Sequence, residues 1–142
     1  MPSQKAIDEF LGQKRIAVVG VSRKTQEYTN GVYRLFKEKG YTLYPVNPNA
    51  TEVEGVRCYP SVKDLPETVD GVLVMLPAAQ CTAVAREAKE AGIPRIWFRT
   101  VAKEAADLAR QSGMSVVEDA CPYMFLGGFP HNIHRWFTKL EA

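Results

Sequence analysis

Cysteine is scarce in this sequence, and the three that occur show no pairing pattern. Cys58, Cys81 and Cys121 are odd in number, lie far apart and form no CxxC motif, so we predict no disulfide framework. A chain of 142 residues, 46% of them hydrophobic, does not need one, because folding at this length buries roughly 70% of the unfolded surface. The sequence therefore excludes a disulfide-stapled mini-protein and predicts a single domain, residues 1–142.

An excess of charge of either sign is also missing. Lysine and arginine together number 18 and aspartate and glutamate 16, which gives a net charge of +2. Proteins that bind nucleic acid or anionic membranes usually present a broad basic surface, so we expect neither partner. A small local anion site remains compatible with this balance.

Long apolar runs are absent as well. The longest stretches without a charged residue, 71–85 and 120–134, are interrupted by proline and polar residues. The first twenty residues contain no apolar core of a signal peptide. We therefore expect a soluble, cytoplasmic protein without membrane spans.

Short apolar runs do occur, and they alternate with segments of helical periodicity. The predicted strands are 15–20, 42–47, 71–76, 94–98 and 114–118, and the predicted helices are 3–12, 28–39, 78–91, 102–111 and 131–140. This alternation predicts a single doubly wound, Rossmann-like α/β domain with a mainly parallel sheet of five or six strands and helices on both faces. Its core would span about 15–122, followed by a C-terminal tail and helix, 123–142. Ligands are expected at the carboxyl ends of the strands.

The turn after the first predicted strand carries the first candidate site. Gly20 ends this strand, but the next glycine is Gly31, so the GxGxxG dinucleotide motif is absent. A glycine and the hydroxyl of Ser22 let backbone N–H groups approach an anion, and Arg23 and Lys24 add full positive charges. This pattern favours a phosphate site. The alternative is an ordinary turn followed by a solvated basic pair.

The end of the second predicted strand bears on the choice of ligand. Domains of this class that bind NAD usually place Asp or Glu there, about 20 residues after the glycine loop, to hold the ribose. Here the strand ends in Asn47 and Pro48, which disfavours NAD. The Asn47 amide could hold an adenine or a phosphorylated ribose, or Asn-Pro could merely open a loop.

Five segments together resemble a known family. VVGVSRK, YTLYPVNP, EVEGVRCYPSVKDLP, VDGVLVMLP and VVEDACP are similar to small stand-alone CoA-binding proteins and to the CoA-binding N-terminal domain of the succinyl-CoA synthetase alpha subunit. The resemblance implies coenzyme A (CoA) or an acyl-CoA as the ligand. It places the CoA diphosphate and ribose phosphate at Gly20, Val21, Ser22, Arg23 and Lys24, beside Tyr28, Asn30 and Gly31. It places the adenosine along Pro45, Val46, Asn47 and Pro48, with the groove completed by Leu76, Pro77, Arg99 and Thr100.

Two segments depart from the family pattern. The family often reads Trp-Leu-Gln and then glycine after the fourth strand, whereas this chain reads WFRTV at 97–101. Arg99 would then either reinforce phosphate binding or pair with a carboxylate such as Glu104. The tail from Tyr123 to Phe129 is unusually apolar and would cover the sheet or contact a second copy or a partner protein.

Neither a catalytic nor a metal site is indicated. No GxSxG, HExxH or Walker motif occurs, and His131 and His134 lack the further ligands that a metal site needs. Cys121 lies near the predicted groove and could form a mixed disulfide with CoA, although a buried, inert cysteine is the simpler interpretation. We therefore expect CoA binding without catalysis by this chain alone. The alternatives are an NAD(P)-dependent oxidoreductase and a ligand-sensing regulatory subunit.

Overall fold

The structure, a computed structural model, describes residues 3–126. Its strands are β1 (Arg15–Val19), β2 (Thr42–Val46), β3 (Glu52–Val53), β4 (Val56–Arg57), β5 (Gly71–Val74), β6 (Arg95–Phe98) and β7 (Ser115–Glu118). Its helices are α1 (Gln4–Leu11), α2 (Tyr28–Glu38), α3 (Ala78–Glu90), α4 (Lys103–Gln111) and α5 (Tyr123–Leu126), with a 3-10 turn at Val62–Asp64. The five predicted strands and the first four predicted helices are confirmed to within two residues at either end. The helix predicted at 131–140 and both histidines lie outside the described residues.

Five of the strands form one parallel sheet in the order β2-β1-β5-β6-β7. The chain leaves β1 towards β2 and then returns to the other side of β1 to form β5. Such a reversal of strand order opens a crevice at the carboxyl ends of the strands. The predicted doubly wound architecture is therefore confirmed, with its switch point between β1 and β5.

Both faces of the sheet are covered, because successive side chains of a strand point in opposite directions. On β1, Ala17 and Val19 face the cluster that contains α3 and α4. Ile16 and Val18 face the cluster that contains α1 and α2. Every β1 residue after Arg15 is buried, which explains why the strand appears in the sequence as an uninterrupted apolar run.

Helix α1 packs beneath β6 and β7, on the same face as α2. The ring of Phe10 meets Trp97 edge to face, with 5.3 Å between the ring centroids. Gly71 makes room for this contact, since a Cβ there would lie 2.7 Å from Cε2 of Phe10. The described start of the apolar tail also covers this face: Phe125 packs against Trp97 and Leu126 is buried.

Two local elements were not predicted. The hairpin of β3 and β4 has strands of only two residues each, and the connection from β2 to β5 contains the 3-10 turn in place of a helix. None of the helices described within 3–126 is long and apolar enough to cross a membrane.

Candidate functional site

A cleft of about 410 Å³ opens at the carboxyl ends of β1, β2 and β5. Its walls come from the turn after β1, the loop after β2 and the flank of α3 that faces them. The lining residues are Val19, Gly20, Ser22, Val46, Asn47, Pro48, Asn49, Pro60, Leu76, Gln80, Ala83, Val84 and Glu87. A cleft of this volume at a switch point has the size and place of a small-molecule site.

The anion turn, as we call residues 20–24, begins at a position that only glycine fits. Gly20 has a φ of +109°, and a Cβ there would overlap the carbonyl oxygen of Met75 at the end of β5. The amide of Gly20 donates to the carbonyl of Val46, 3.2 Å away, which fixes the start of the turn against β2. The glycine therefore lets β1 leave the sheet between two close neighbours.

Two asparagine side chains hold the carbonyl groups of the anion turn. The Nδ2 of Asn47 donates to the carbonyl of Val21 at 2.9 Å, and the Nδ2 of Asn30 donates to the carbonyl of Ser22 at 2.7 Å. Asn30 Oδ1 also accepts from the amide of Ser22 at 2.9 Å. Among the described residues, the amides of Val21 and Arg23 have no protein acceptor. The turn thus engages the carbonyls of Val21 and Ser22 within the protein. Because Val21 is fully buried and Arg23 is exposed, the Arg23 amide is the donor that remains accessible to a ligand.

The basic side chains of the anion turn are available for an anion. Arg23 and Lys24 are both exposed, and neither forms an ion pair within residues 3–126. The amide of Lys24 donates to the hydroxyl of Ser22 at 3.0 Å, which closes the turn before α2 begins at Tyr28. Helix α2 has no side-chain cap, so its first amides add partial positive charge near the turn.

Asn30 is the buried polar residue of the described chain and does not line the cleft. Besides holding Ser22, its Nδ2 donates to Oε2 of Glu54 at 2.7 Å. Both amide atoms of Asn47 are likewise engaged, because Oδ1 accepts from the amide of Asn49 at 2.8 Å. The structure therefore gives Asn30 a supporting place behind the anion turn, whereas Asn47 both supports the turn and lines the cleft. These roles could not be predicted from the local sequence, because Asn30 and Asn47 bind partners up to 26 residues away.

A second cluster lies at the ends of β6 and β7, beside the start of α2. The Tyr28 hydroxyl is 2.6 Å from Sγ of Cys121, and the guanidinium carbon of Arg99 lies 5.2 Å from the centre of the Tyr28 ring. Partial burial, and then the hydrogen bond with Cys121, raises the pKa of Tyr28 above its ordinary value, so the phenol stays protonated. The ring of Tyr123 packs against Tyr28 with 5.5 Å between centroids.

Arg99 does not form the ion pair that was one of its two predicted alternatives. Glu104 accepts instead from the hydroxyl of Thr82 at 3.2 Å, and no carboxylate within 3–126 lies in ion-pair range of Arg99. Its Nε is buried without a hydrogen-bond partner among these residues. Burying a charged donor unsatisfied is costly, so this guanidinium favours an anionic partner.

The remaining predicted residues lie in the cleft, next to the second cluster or within the adjoining strands and helices. Pro45 is buried in β2, Leu76 lines the cleft and Pro77 precedes α3. Thr100 donates to the carbonyl of Leu76 at 3.4 Å, and Gly31 lies against the phenol of Tyr123, where a Cβ would collide. The prediction missed the wall formed by α3, whose cleft-facing residues are the ordinary helix formers Gln80, Ala83, Val84 and Glu87.

The family model for the CoA binding domain matches residues 14–126. The chain belongs to this family. The match covers β1 to α5 and includes the anion turn, the cleft and the Tyr28–Arg99 cluster. The CoA-binding resemblance inferred from the sequence motifs is thereby confirmed.

Similar proteins include chains that this one covers almost completely and larger enzymes that it covers in part. The chain is 34% identical over 123 residues to the uncharacterized protein YneT of Bacillus subtilis, covering 84% of this chain and 91% of that protein. It is 29% identical over 128 residues to the alpha subunit of ADP-forming acetate–CoA ligase II of Pyrococcus furiosus, covering 81% of this chain. It spans only 28% of that subunit. A hypothetical protein from Pyrococcus horikoshii superposes with a TM-score of 0.78 at 30% identity, covering 99% of this chain and 93% of that one.

Proposed function

We propose that this CoA binding domain holds CoA or an acyl-CoA by its phosphate and nucleotide groups and catalyses no reaction alone. The observation that carries the proposal is the anion turn, which combines the open amide of Arg23 with two unpaired basic side chains next to Ser22, a residue of the cleft lining. Hydrogen-bond donors at the start of a helix are suited to bind phosphate. The chain would act as a single domain, since residues 3–126 already contain the whole five-stranded sheet.

The ligand would divide between the turn and the cleft. The diphosphate would contact the amide of Arg23 together with the charged heads of Arg23 and Lys24, which are exposed. The adenosine fits the cleft, whose floor is apolar at Val19, Val46 and Leu76. A planar ring on an apolar floor gains free energy from burial, while its polar edge stays near the loop after β2.

An NAD(P)-dependent oxidoreductase receives less support from the same site. The end of β2 offers no carboxylate to a ribose, and both amide atoms of Asn47 are occupied within the protein. The sequence contains no GxSxG, HExxH or Walker motif, which favours a binding module. Contact with a second copy or a partner protein through the tail stays a prediction, and residues 127–129 of the tail lie outside the described residues.

The test is calorimetric titration with CoA, acetyl-CoA, NAD and NADP, with reductant present. We expect micromolar CoA binding and no heat from the nicotinamide cofactors. The double substitution Arg23→Ala and Lys24→Ala should weaken CoA binding at least about tenfold, because each removes a charge-assisted hydrogen bond. Its control is Lys37→Ala with Lys89→Ala.

The control changes the net charge equally but at the opposite edge of the sheet. Lys37 and Lys89 are exposed in the last turns of α2 and α3, and these helices run back towards the amino ends of the strands. Its affinity should stay within about twofold of the wild type, since exposed charges beyond a Debye length are screened. Equal affinity of both double variants would refute the phosphate site, and titration by NAD alone would refute CoA as the ligand.

A further inference from the structure

The hairpin of β3 and β4 reaches the anion turn through one continuous set of hydrogen bonds. Glu54, at the tip of the hairpin, accepts from Nδ2 of Asn30 at 2.7 Å, and Asn30 in turn binds both the amide and the carbonyl of Ser22. Arg34 pairs with the same Glu54 oxygen at 2.8 Å. The Glu54 side chain is only 10% exposed, so its carboxylate is committed to these two partners.

Asn30 needs this acceptor because it is fully buried. Its amide nitrogen carries two hydrogens, of which one goes to Ser22 and the other to Glu54. A buried N–H without an acceptor carries a substantial free-energy penalty. Loss of the Glu54 oxygen would therefore let the Asn30 amide turn away and release the Ser22 peptide.

The backbone conformation of the hairpin loop does not favour a glutamate at position 54. Glu54 and Gly55 form the two-residue hairpin loop with φ values of 50° and 77°. A loop with two positive φ values favours asparagine, aspartate or glycine at its first position, and glutamate is a poor choice there. The length of the glutamate side chain is what brings its carboxylate to Asn30.

We propose that Glu54 is a positioning residue for the ligand site, which acts through Asn30 to hold the Ser22 carbonyl so that the amide of Arg23, in the same peptide group, faces the phosphate. This inference rests on the proposed function and assigns to the hairpin a part in ligand affinity. Glu54 itself touches no ligand, because its carboxylate lies behind Asn30. Its negative charge is compensated by Arg34 and does not oppose the bound anion.

The test compares two uncharged replacements that differ in length, Glu54→Gln and Glu54→Asn. Glutamine keeps an acceptor oxygen within reach of Asn30, so its CoA affinity should stay within about twofold of the wild type. Asparagine suits the hairpin loop better but is one methylene too short to reach Asn30. We expect Glu54→Asn to bind CoA about three- to tenfold more weakly than Glu54→Gln, as the loss of one hydrogen bond implies.

The control is Glu52→Asn, which removes an exposed carboxylate from the same hairpin and should leave the affinity unchanged. Equal CoA affinity of the glutamine and asparagine variants would overturn the inference. A readout without ligand separates this failure from failure of the proposed function: hydrogen exchange at the Ser22 amide. Exchange should accelerate in Glu54→Asn relative to Glu54→Gln, even if the wild-type protein binds no CoA. Equal exchange rates would likewise overturn the inference.

Discussion

Replacing Gly20 by alanine should cost more stability than the same change at Gly40, although both glycines have strongly positive φ values, +109° and +95°. Any residue with a Cβ is strained there, by about 1–3 kcal/mol. At Gly40 nothing lies within 4 Å of the added Cβ, whereas at Gly20 the methyl group would overlap the carbonyl oxygen of Met75. That carbonyl belongs to the segment that follows β5, where the Met75 amide donates to Val19 at 2.9 Å.

The methyl group at Gly20 must therefore push β1 and β5 apart at their carboxyl ends. Overpacking of this kind costs about 1–3 kcal/mol beyond the backbone strain, so we expect about 2–6 kcal/mol for Gly20→Ala and about 1–3 for Gly40→Ala. Urea unfolding followed by circular dichroism measures both. The pair isolates the close approach, because the chemical change and the backbone region are matched. Free energies of unfolding that agree within about 0.5 kcal/mol would refute the steric argument.

Two further predictions concern the second cluster and the cysteines. Iodoacetamide should modify Cys121 before Cys58 and Cys81, because burial raises the pKa of the latter two thiols and the thiolate is the reactive form. Peptide mass spectrometry at successive times measures the order of modification, and equal rates would contradict the prediction. Arg99→Gln should leave the ligand-free melting temperature nearly unchanged, because the lost cation–π contact is offset by removal of an unsatisfied buried donor. The same substitution should lower the melting-temperature increase caused by CoA. An unchanged increase would show that Arg99 does not face the ligand.

The sheet could be predicted because its strands are buried on both faces. Such strands appear as short apolar runs, and the glycines after α2, α3 and α4 mark the ends of the intervening helices. The β3–β4 hairpin gave no comparable pattern, since its strands have two residues each and its loop reads Glu-Gly rather than Asn-Gly. Short strands depend on their neighbours, which the local sequence does not show.

The candidate site was predicted in its outline but not in its internal roles. Gly20, Ser22, Asn47 and Leu76 do line one cleft, as their positions at the ends of predicted strands implied. The supporting role of Asn30 depends on a partner 24 residues away, and that pairing exists only once the hairpin has folded back. Residue propensity and motif spacing depend on neighbours in sequence. They therefore predict where a loop lies, but not which distant side chains stabilise it by hydrogen bonds.

The arrangement around the anion turn bears on how a nearly neutral chain could present the proposed anion site. A net charge of +2 creates no long-range field strong enough to attract a polyanion. Affinity must then arise from local groups, and in a turn every peptide brings a repelling carbonyl together with an attracting amide. Asn30 engages the carbonyl of Ser22 and so removes the repelling half of the Ser22–Arg23 peptide, while Asn47 engages the carbonyl of Val21. In the proposed site, the Arg23 amide and the adjacent arginine and lysine side chains would then bind phosphate without a surrounding basic surface.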